Sequence, residues 1–369
     1  MIPVNSPVIP QESKKLVMQA LEEGWISSAG PYLEQFEREF AQFLGVKHAV
    51  VVNTGTAAIH VALLALGIGE GDEVIVPAFT MASSWMAVMH AGATPIFVDV
   101  ESDIYTLDPQ LIEAAITPRT KAIMPVHIYG HPADMDPILT IAKKHHLFVV
   151  EDAAEAHGAT YKGKLVGSIG DINAFSFYAN KIVTTGEGGM VTTNSDELAD
   201  LSRRFRDLAH SPSKRFIHDH LGYNYRITSL QAALGIGSLH AIGESLAQKQ
   251  HMAELYQKGL SDISGLTLPT TREWATNVYW MYAVLVDPTQ LGMSKDDLRS
   301  KLLAQGVDTR DFFYAPSDQP ILQAGHFPLT EKIAQNGFYL PSGLALTNEQ
   351  IQIVIDTLRG CILLPSAKV

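Results

Sequence analysis

Lys181 lies in "SFYANKIVTTGEGGM", after an apolar and aromatic run and just before Gly186, Gly188 and Gly189. Burial penalises the charged form of an amine, and a neutral amine can attack a carbonyl to form a Schiff base. The competing use is a lysine that lays its stem on apolar surface and keeps its head in water. The residue order argues against a Walker-type phosphate loop, in which the lysine follows the glycines. Asp152 ends the apolar run in "VVEDAAEAHGA", with Glu151, Glu155 and His157 close by. A carboxylate at the carboxyl end of a strand serves either chemistry or the capping of the next turn. No metal site is expected, because Glu151 and Asp152 are neighbours on a strand and point to opposite faces.

Two further stretches could contribute. "NTGTAA" (Asn53 to Ala58) passes from an apolar strand into a helix. Free N–H groups at a helix start favour a phosphate, although a plain capped helix has the same pattern. "GYNYRIT" (Gly222 to Thr228) brings Tyr223, Asn224, Tyr225 and Arg226 ahead of a helical region, and an ordinary helix start also accounts for it. A phosphate anchor, an acidic partner for a pyridinium nitrogen and a lysine for an aldehyde are together what pyridoxal phosphate requires.

The elements that must position these groups follow a regular pattern. "HAVVVN", "DEVIVPA", "TPIFVDV", "TKAIMPVHI", "LFVVEDA" and "GGMVTTN" read as strands. Helical stretches lie between them, including Met81 to Ala91, Asp108 to Ile116 and Met135 to His145. Apolar strands alternating with helices predict a mostly parallel sheet covered on both faces. One long helical region is predicted from Ser229 to Leu260, leading into a second part of α+β character. There "NVYWMYAVLVD" reads as a strand, and "SKDDLRSKLLAQG" as a helix capped by Ser294 and ended at Gly306.

The chain has 369 residues, 46% hydrophobic and 18% charged, which suits a folded protein with a large core and two domains. A net charge of −12 without a basic block argues against a nucleic-acid partner. Cys361 is the single cysteine, so no internal disulfide forms, in keeping with a reducing compartment. Neither a signal peptide nor an uninterrupted apolar span is read, so no membrane association is expected and the cytoplasm is the expected location.

Several blocks in one order carry a resemblance over nearly the whole chain. They include "GWISSAGPYLEQFEREFAQFLGVKHAV", "GTAAIHVALLALGIGEGDEVIVPAFT", "VVEDAAEAHGATYKGKLVGSIGDI", "FSFYANKIVTTGEGGM" and "GYNYRITSLQAALG". The chain resembles the nucleotide-sugar aminotransferases of the DegT type, within the fold-type I pyridoxal-phosphate enzymes. The resemblance implies an α/β fold with a large domain, residues 1–240, built on a mostly parallel mixed sheet between helices. A smaller α+β C-terminal domain, residues 241–369, would follow. It implies that Lys181 carries the cofactor aldehyde and moves protons, and that Asp152 pairs with the pyridine nitrogen. Gly55, Thr56, Ala57 and the Ser176 hydroxyl would hold the phosphate, with Glu155 beside the ring. Asn224 would reach the phosphate from the partner subunit, so the active unit would be a homodimer, possibly within a tetramer. Trp25, Ser27, Arg310 and Tyr314 would face the sugar nucleotide.

The implied reaction moves an amino group from L-glutamate to a nucleotide-linked 4-keto-6-deoxy sugar, with pyridoxamine phosphate as the intermediate cofactor form. GDP-4-keto-6-deoxymannose is the first expectation. UDP- or dTDP-linked keto sugars, at C3 or C4, are the alternative, and surface-polysaccharide synthesis is the implied context. Related dehydratases carry histidine at the lysine position, so Lys181 favours amino transfer. A non-catalytic sensor is disfavoured because no basic DNA-binding segment is appended. Two departures from the family pattern stand out. Met81 occupies the place of a ring-stacking aromatic residue, leaving either Met81 or Trp85 to pack on the cofactor. Asp311 and Ser317 occupy places where proline and histidine are common.

Overall fold

The computed structural model describes residues 1–211, 213–214 and 216–363. The chain opens with α1 (Gln11–Glu22) and α2 (Pro31–Leu44). An alternating series follows: β1 (His48–Val52), α3 (Gly55–Ala65), β2 (Glu73–Pro77), α4 (Ala82–His90) and β3 (Thr94–Val98). It continues with α5 (Pro109–Ala115), β4 (Thr120–Ile123), α6 (Met135–His145) and β5 (Phe148–Asp152). A short hairpin, β6 (Thr160–Tyr161) and β7 (Lys164–Leu165), precedes β8 (Ile172–Ser176), β9 (Gly189–Thr193) and α7 (Asp196–Arg206).

Seven strands form one sheet in the order β1-β9-β8-β5-β4-β2-β3. β9 runs antiparallel to both neighbours, and the remaining pairs are parallel. Successive side chains leave opposite faces of a strand. Val51 and Ile75 accordingly join a core under α2 and α6, while Val50, Val52, Val74 and Val76 join the core under α3 and α4. Both faces are covered by helices, which is why these strands are apolar throughout.

The predicted helix from Ser229 to Leu260 is two helices, α8 (Ser229–His240) and α9 (Ile242–Leu260). Ala241 leaves helical geometry between them, with φ −86° and ψ 3°. The bend has a packing reason. α8 buries its side chains in the core beneath the main sheet, whereas Met252, Tyr256 and Leu260 of α9 join a different core.

That second core lies on a sheet of order β10-β12-β14-β13. Its strands are β10 (Leu266–Thr267), β12 (Tyr282–Val286), β13 (Arg310–Asp311) and β14 (Gly337–Leu340), with β11 (Ala275–Thr276) pairing instead with β6. The helices here are α10 (Pro288–Leu291), α11 (Lys295–Ala304), α12 (Pro328–Asn336) and α13 (Asn348–Leu363). The strand predicted from Asn277 begins only at Tyr282, because Tyr279 takes a left-handed conformation (φ 47°) and turns the chain. The strand predicted to reach Ile128 stops at Ile123, short of Pro125, whose nitrogen has no hydrogen to donate. Ile2 pairs with Val307 and the Val4 carbonyl accepts from Ser342, so this opening segment packs with the second core.

Candidate active site

Thr54, just past the end of β1, caps α3 by accepting the Ala57 N–H on its hydroxyl at 3.0 Å. The N–H groups of Gly55 and Thr56 are left without acceptors among the described residues, as expected for a helix start. Gly189 is paired in the sheet with both Val52 and Ser176, and Thr54 crosses directly above it. A Cβ on Gly189 would lie 2.2 Å from the Thr54 carbonyl oxygen, and one on Gly55 would lie 2.7 Å from the Ser176 Cβ. Two glycines thus bring the Ser176 hydroxyl and the free N–H groups of α3 to one spot.

Asp152 ends β5 and is buried. Its carboxylate accepts from Ser84 Oγ at 2.7 Å and from the Ala154 N–H at 3.1 Å. Burial pushes its pKa up, and these two donors hold it down. Glu151 points to the other face. It accepts from the N–H groups of Gly167, Ile169 and Gly170 at 2.7–2.8 Å, and from His127 Nε2 at 2.9 Å. The Ala133 N–H donates to His127 Nδ1 at 3.0 Å, which leaves the ring proton on Nε2. Glu151 therefore shapes a loop and takes no part in the cavity. His157 is packed against Phe175 and Phe177, with ring centroids at 5.3 and 5.6 Å. No cluster that could hold a metal occurs among the described residues.

Lys181 Nζ lies 3.9 Å from Glu155 Oε1, and both side chains are buried. Desolvation lowers the amine's pKa, opposed by the charges of Glu155 and Asp152. Desolvation raises that of Glu155, opposed by Lys181 and by the Tyr129 N–H, which donates to Glu155 at 2.8 Å. The ring of Trp280 covers Lys181, with Nζ 3.4 Å from its centroid. Trp280 Nε1 donates to the Asn180 carbonyl at 2.9 Å, tying the ring to the residue before the lysine. The lysine is thus a buried amine, not a snorkelling one.

Gly55, Thr56, Met81, Asp152, Glu155, Ser176 and Lys181 line one cavity of about 370 Å³. Ala57 is not among its walls, and its N–H donates to Thr54 rather than into the cavity. Asn224 is exposed and stands away from this chain's own cavity. Met81 faces the cavity, whereas Trp85 is buried against Phe97 and does not reach it. Arg310 and Tyr314 line an adjoining cavity of about 380 Å³ that shares Thr80, Met81 and Tyr339 with the first. Trp25 and Ser27 line neither. Trp25 folds over Gly30, and the Ser27 carbonyl accepts from the Ser229 N–H at 2.6 Å. Asp311 is engaged by Lys295 and Arg299, and Ser317 donates to Glu331 at 2.8 Å. Sequence reasoning missed Ser84, Trp280 and Tyr339. No local pattern marks Ser84, one of two adjacent serines in α4.

A mixed sheet between helices, with a buried lysine and aspartate at the carboxyl ends of its strands, defines an α/β transferase site built for amine chemistry. The chain belongs to the DegT/DnrJ/EryC1/StrS aminotransferase family, whose profile matches residues 7–359. It is similar to GDP-perosamine synthase of Caulobacter vibrioides, 42% identical over 97% of this chain and 97% of the relative. It is also similar to dTDP-3-amino-3,4,6-trideoxy-alpha-D-glucose transaminase of Streptomyces venezuelae, 41% identical over 89% of this chain and 87% of that one. Among solved structures, S. venezuelae DesV in complex with a ketimine intermediate superposes with a TM-score of 0.90 at 39% identity, covering 96% of this chain and 95% of that one. The family, fold class and aminotransferase activity expected from the sequence hold.

Proposed function

We propose that this chain transfers an amino group from L-glutamate to GDP-4-keto-6-deoxymannose, giving GDP-perosamine, with pyridoxal phosphate as cofactor. The observation that carries the reading is the buried Lys181 amine, 3.9 Å from Glu155 in a cavity that also holds Asp152. The residues present fit the cofactor. Gly55 and Thr56 offer unpaired N–H groups, and Ser176 a hydroxyl, for its phosphate. Asp152 offers a buried carboxylate for its ring nitrogen. When bound, the cofactor supplies an electron sink that lets an amino nitrogen pass between an amino acid and a ketone.

The chain's own groups then have distinct tasks. Lys181 Nζ takes and returns a proton, which its lowered pKa favours near neutrality. Glu155 balances the charge on that amine, and Ser84 keeps Asp152 oriented and ionised. Met81 packs on one side of the cavity as a polarizable thioether. Arg310 and Tyr314, in the adjoining cavity, meet the sugar nucleotide. Asn224, exposed in the single chain, completes the site of a partner subunit, which makes the working unit a homodimer. The compartment is the cytoplasm, and the two domains divide near residue 240.

The choice of a GDP-linked sugar rests on the similarity to GDP-perosamine synthase; the similarity to a dTDP-sugar transaminase supports the second reading, a dTDP-linked substrate. A panel of GDP-, dTDP- and UDP-linked keto sugars, incubated with glutamate and followed by mass, decides between them. Turnover confined to the GDP sugar is the expected outcome, and preference for another nucleotide replaces this reading. Lys181→Ala is expected to lower turnover by roughly 10³-fold or more. Full activity in that variant would remove Lys181 from its assigned role.

A further inference from the structure

Lys249, on α9, is 2% exposed and has burial as the sole influence on its basicity, which is pushed down to about 7. An amine buried without a carboxylate partner is costly to keep and calls for a reason. Its Nζ donates to two backbone carbonyls, those of Trp280 (2.9 Å) and Ser342. The next residue, Gln250, donates its amide to the carbonyl of Asn277. Two consecutive side chains of one helix therefore grip the chain on both sides of Tyr279. Tyr279 is held at φ 47°, a conformation that persists only where surrounding contacts impose it. Asn277 Oδ1 adds a third contact by accepting the Tyr279 N–H at 2.8 Å. What the turn presents is the Trp280 ring, 3.4 Å from Lys181 Nζ and fastened to the Asn180 carbonyl. Lys249 and Lys181 both line a small void of about 10 Å³, room for roughly one water.

We propose that Lys249 is a positioning residue for Lys181: with Gln250 it clamps the strained 277–280 turn and thereby keeps the Trp280 ring over the reactive amine. This rests on the reading of Lys181 as that amine. The titratable groups that act on Lys181 or share its cavity are Glu155, Asp152, His157, Glu187, Tyr178 and Tyr339, with the Trp280 ring over the amine. Burial is the largest influence on it, ahead of the two carboxylates. Releasing the ring admits water, which restores the charged form. The loss of the cation–ring attraction works the other way and is the smaller effect.

The test measures the Lys181 amine directly in cofactor-free protein, by pH-dependent acylation resolved on the peptide that carries it. Lys249→Met is expected to move the midpoint of Lys181 upward by about one pH unit, and Lys249→Arg, which keeps a charged donor, by less. Removing a nearby positive charge would also move it upward. Gln250→Ala separates the two causes, since it frees the turn and leaves Lys249 in place. An upward shift in Gln250→Ala supports the clamp, also where Lys249→Met does not fold. A lowered Tm with an unmoved midpoint in Gln250→Ala assigns Lys249 to charge or stability alone and overturns the proposal. Because no cofactor or sugar is present, either result leaves the assigned reaction to its own assay.

Discussion

At Asp152 two opposed influences meet, since burial raises the carboxyl pKa and the Ser84 and Ala154 donors lower it. Ser84→Ala removes one donor from a buried anion. The pKa then climbs further, and the ionised form proposed to meet the cofactor's ring nitrogen is lost at higher pH than in the parent. The acidic limb of the kcat profile is expected to move up by about one pH unit, with a stability loss of about 1–3 kcal/mol. A pH–rate series checks this, and an unmoved limb would show that the hydroxyl is not a determinant of Asp152. Lys181 and Asp152 were legible in the sequence because each ends or follows an apolar run with unusual neighbours. Ser84 was not, because one of two adjacent serines on an apolar helix gains meaning only from the strand order that carries Asp152 past it. Trp280 was hidden for a similar reason. Its ring reaches Lys181 from about 100 positions further along and is fixed by a hydrogen bond to the Asn180 carbonyl that no local pattern announces.

Among the elements, the glycines after Lys181 differ in kind. Gly189 has a carbonyl oxygen 2.2 Å from where a Cβ would be, so Gly189→Ala must push α3 away from the sheet. Gly186 has open space around it but φ +81°, so Gly186→Ala pays backbone strain alone. We expect losses of about 3 kcal/mol or more at Gly189 and about 1–2 kcal/mol at Gly186. Urea denaturation of both variants tests the ranking, and equal losses would contradict the close approach. Gly130 belongs with Gly189: it has φ +104°, and a Cβ there would meet Val278 and the Tyr279 nitrogen at 2.8–2.9 Å. Element type was readable along the alternating half of the chain, where most strands are apolar and α2, α3 and α4 close at or beside Gly45, Gly67 and Gly92. The breaks at Ala241 and Tyr279 were not readable. They depend on which core each segment joins, and helical or strand periodicity continues through them.

For the whole molecule, buried histidines contribute to the response to acid. Burial pushes His131 down to about 4 and His157 down to about 3. Both lie below the ordinary imidazole value, so the unfolded chain binds more protons between those pH values. Stability from this source is complete above about pH 6.5 and is lost as pH falls toward the folded values, by roughly 3 kcal/mol for His131 and roughly 5 kcal/mol for His157. Asp152 and Glu155, with raised pKa values, act in the opposite sense, so the comparison must be made between variants. His157→Leu is expected to lose less stability than the parent between about pH 7 and pH 4, a difference of roughly 3 kcal/mol. Parallel denaturation curves at the two pH values measure it, and identical losses would show that His157 titrates freely.

The pairing of Ile2 with Val307 joins positions about 300 residues apart. During synthesis at about 5–20 residues per second, the segment around Ile2 waits on the order of 15–60 s for its partner to emerge. The main sheet has by then been translated in full, since its last strand ends at Thr193. The segment around Ile2 is thus made long before the residue it pairs with. A nascent chain not yet extended to Val307 leaves this pairing unformed, however complete its main sheet.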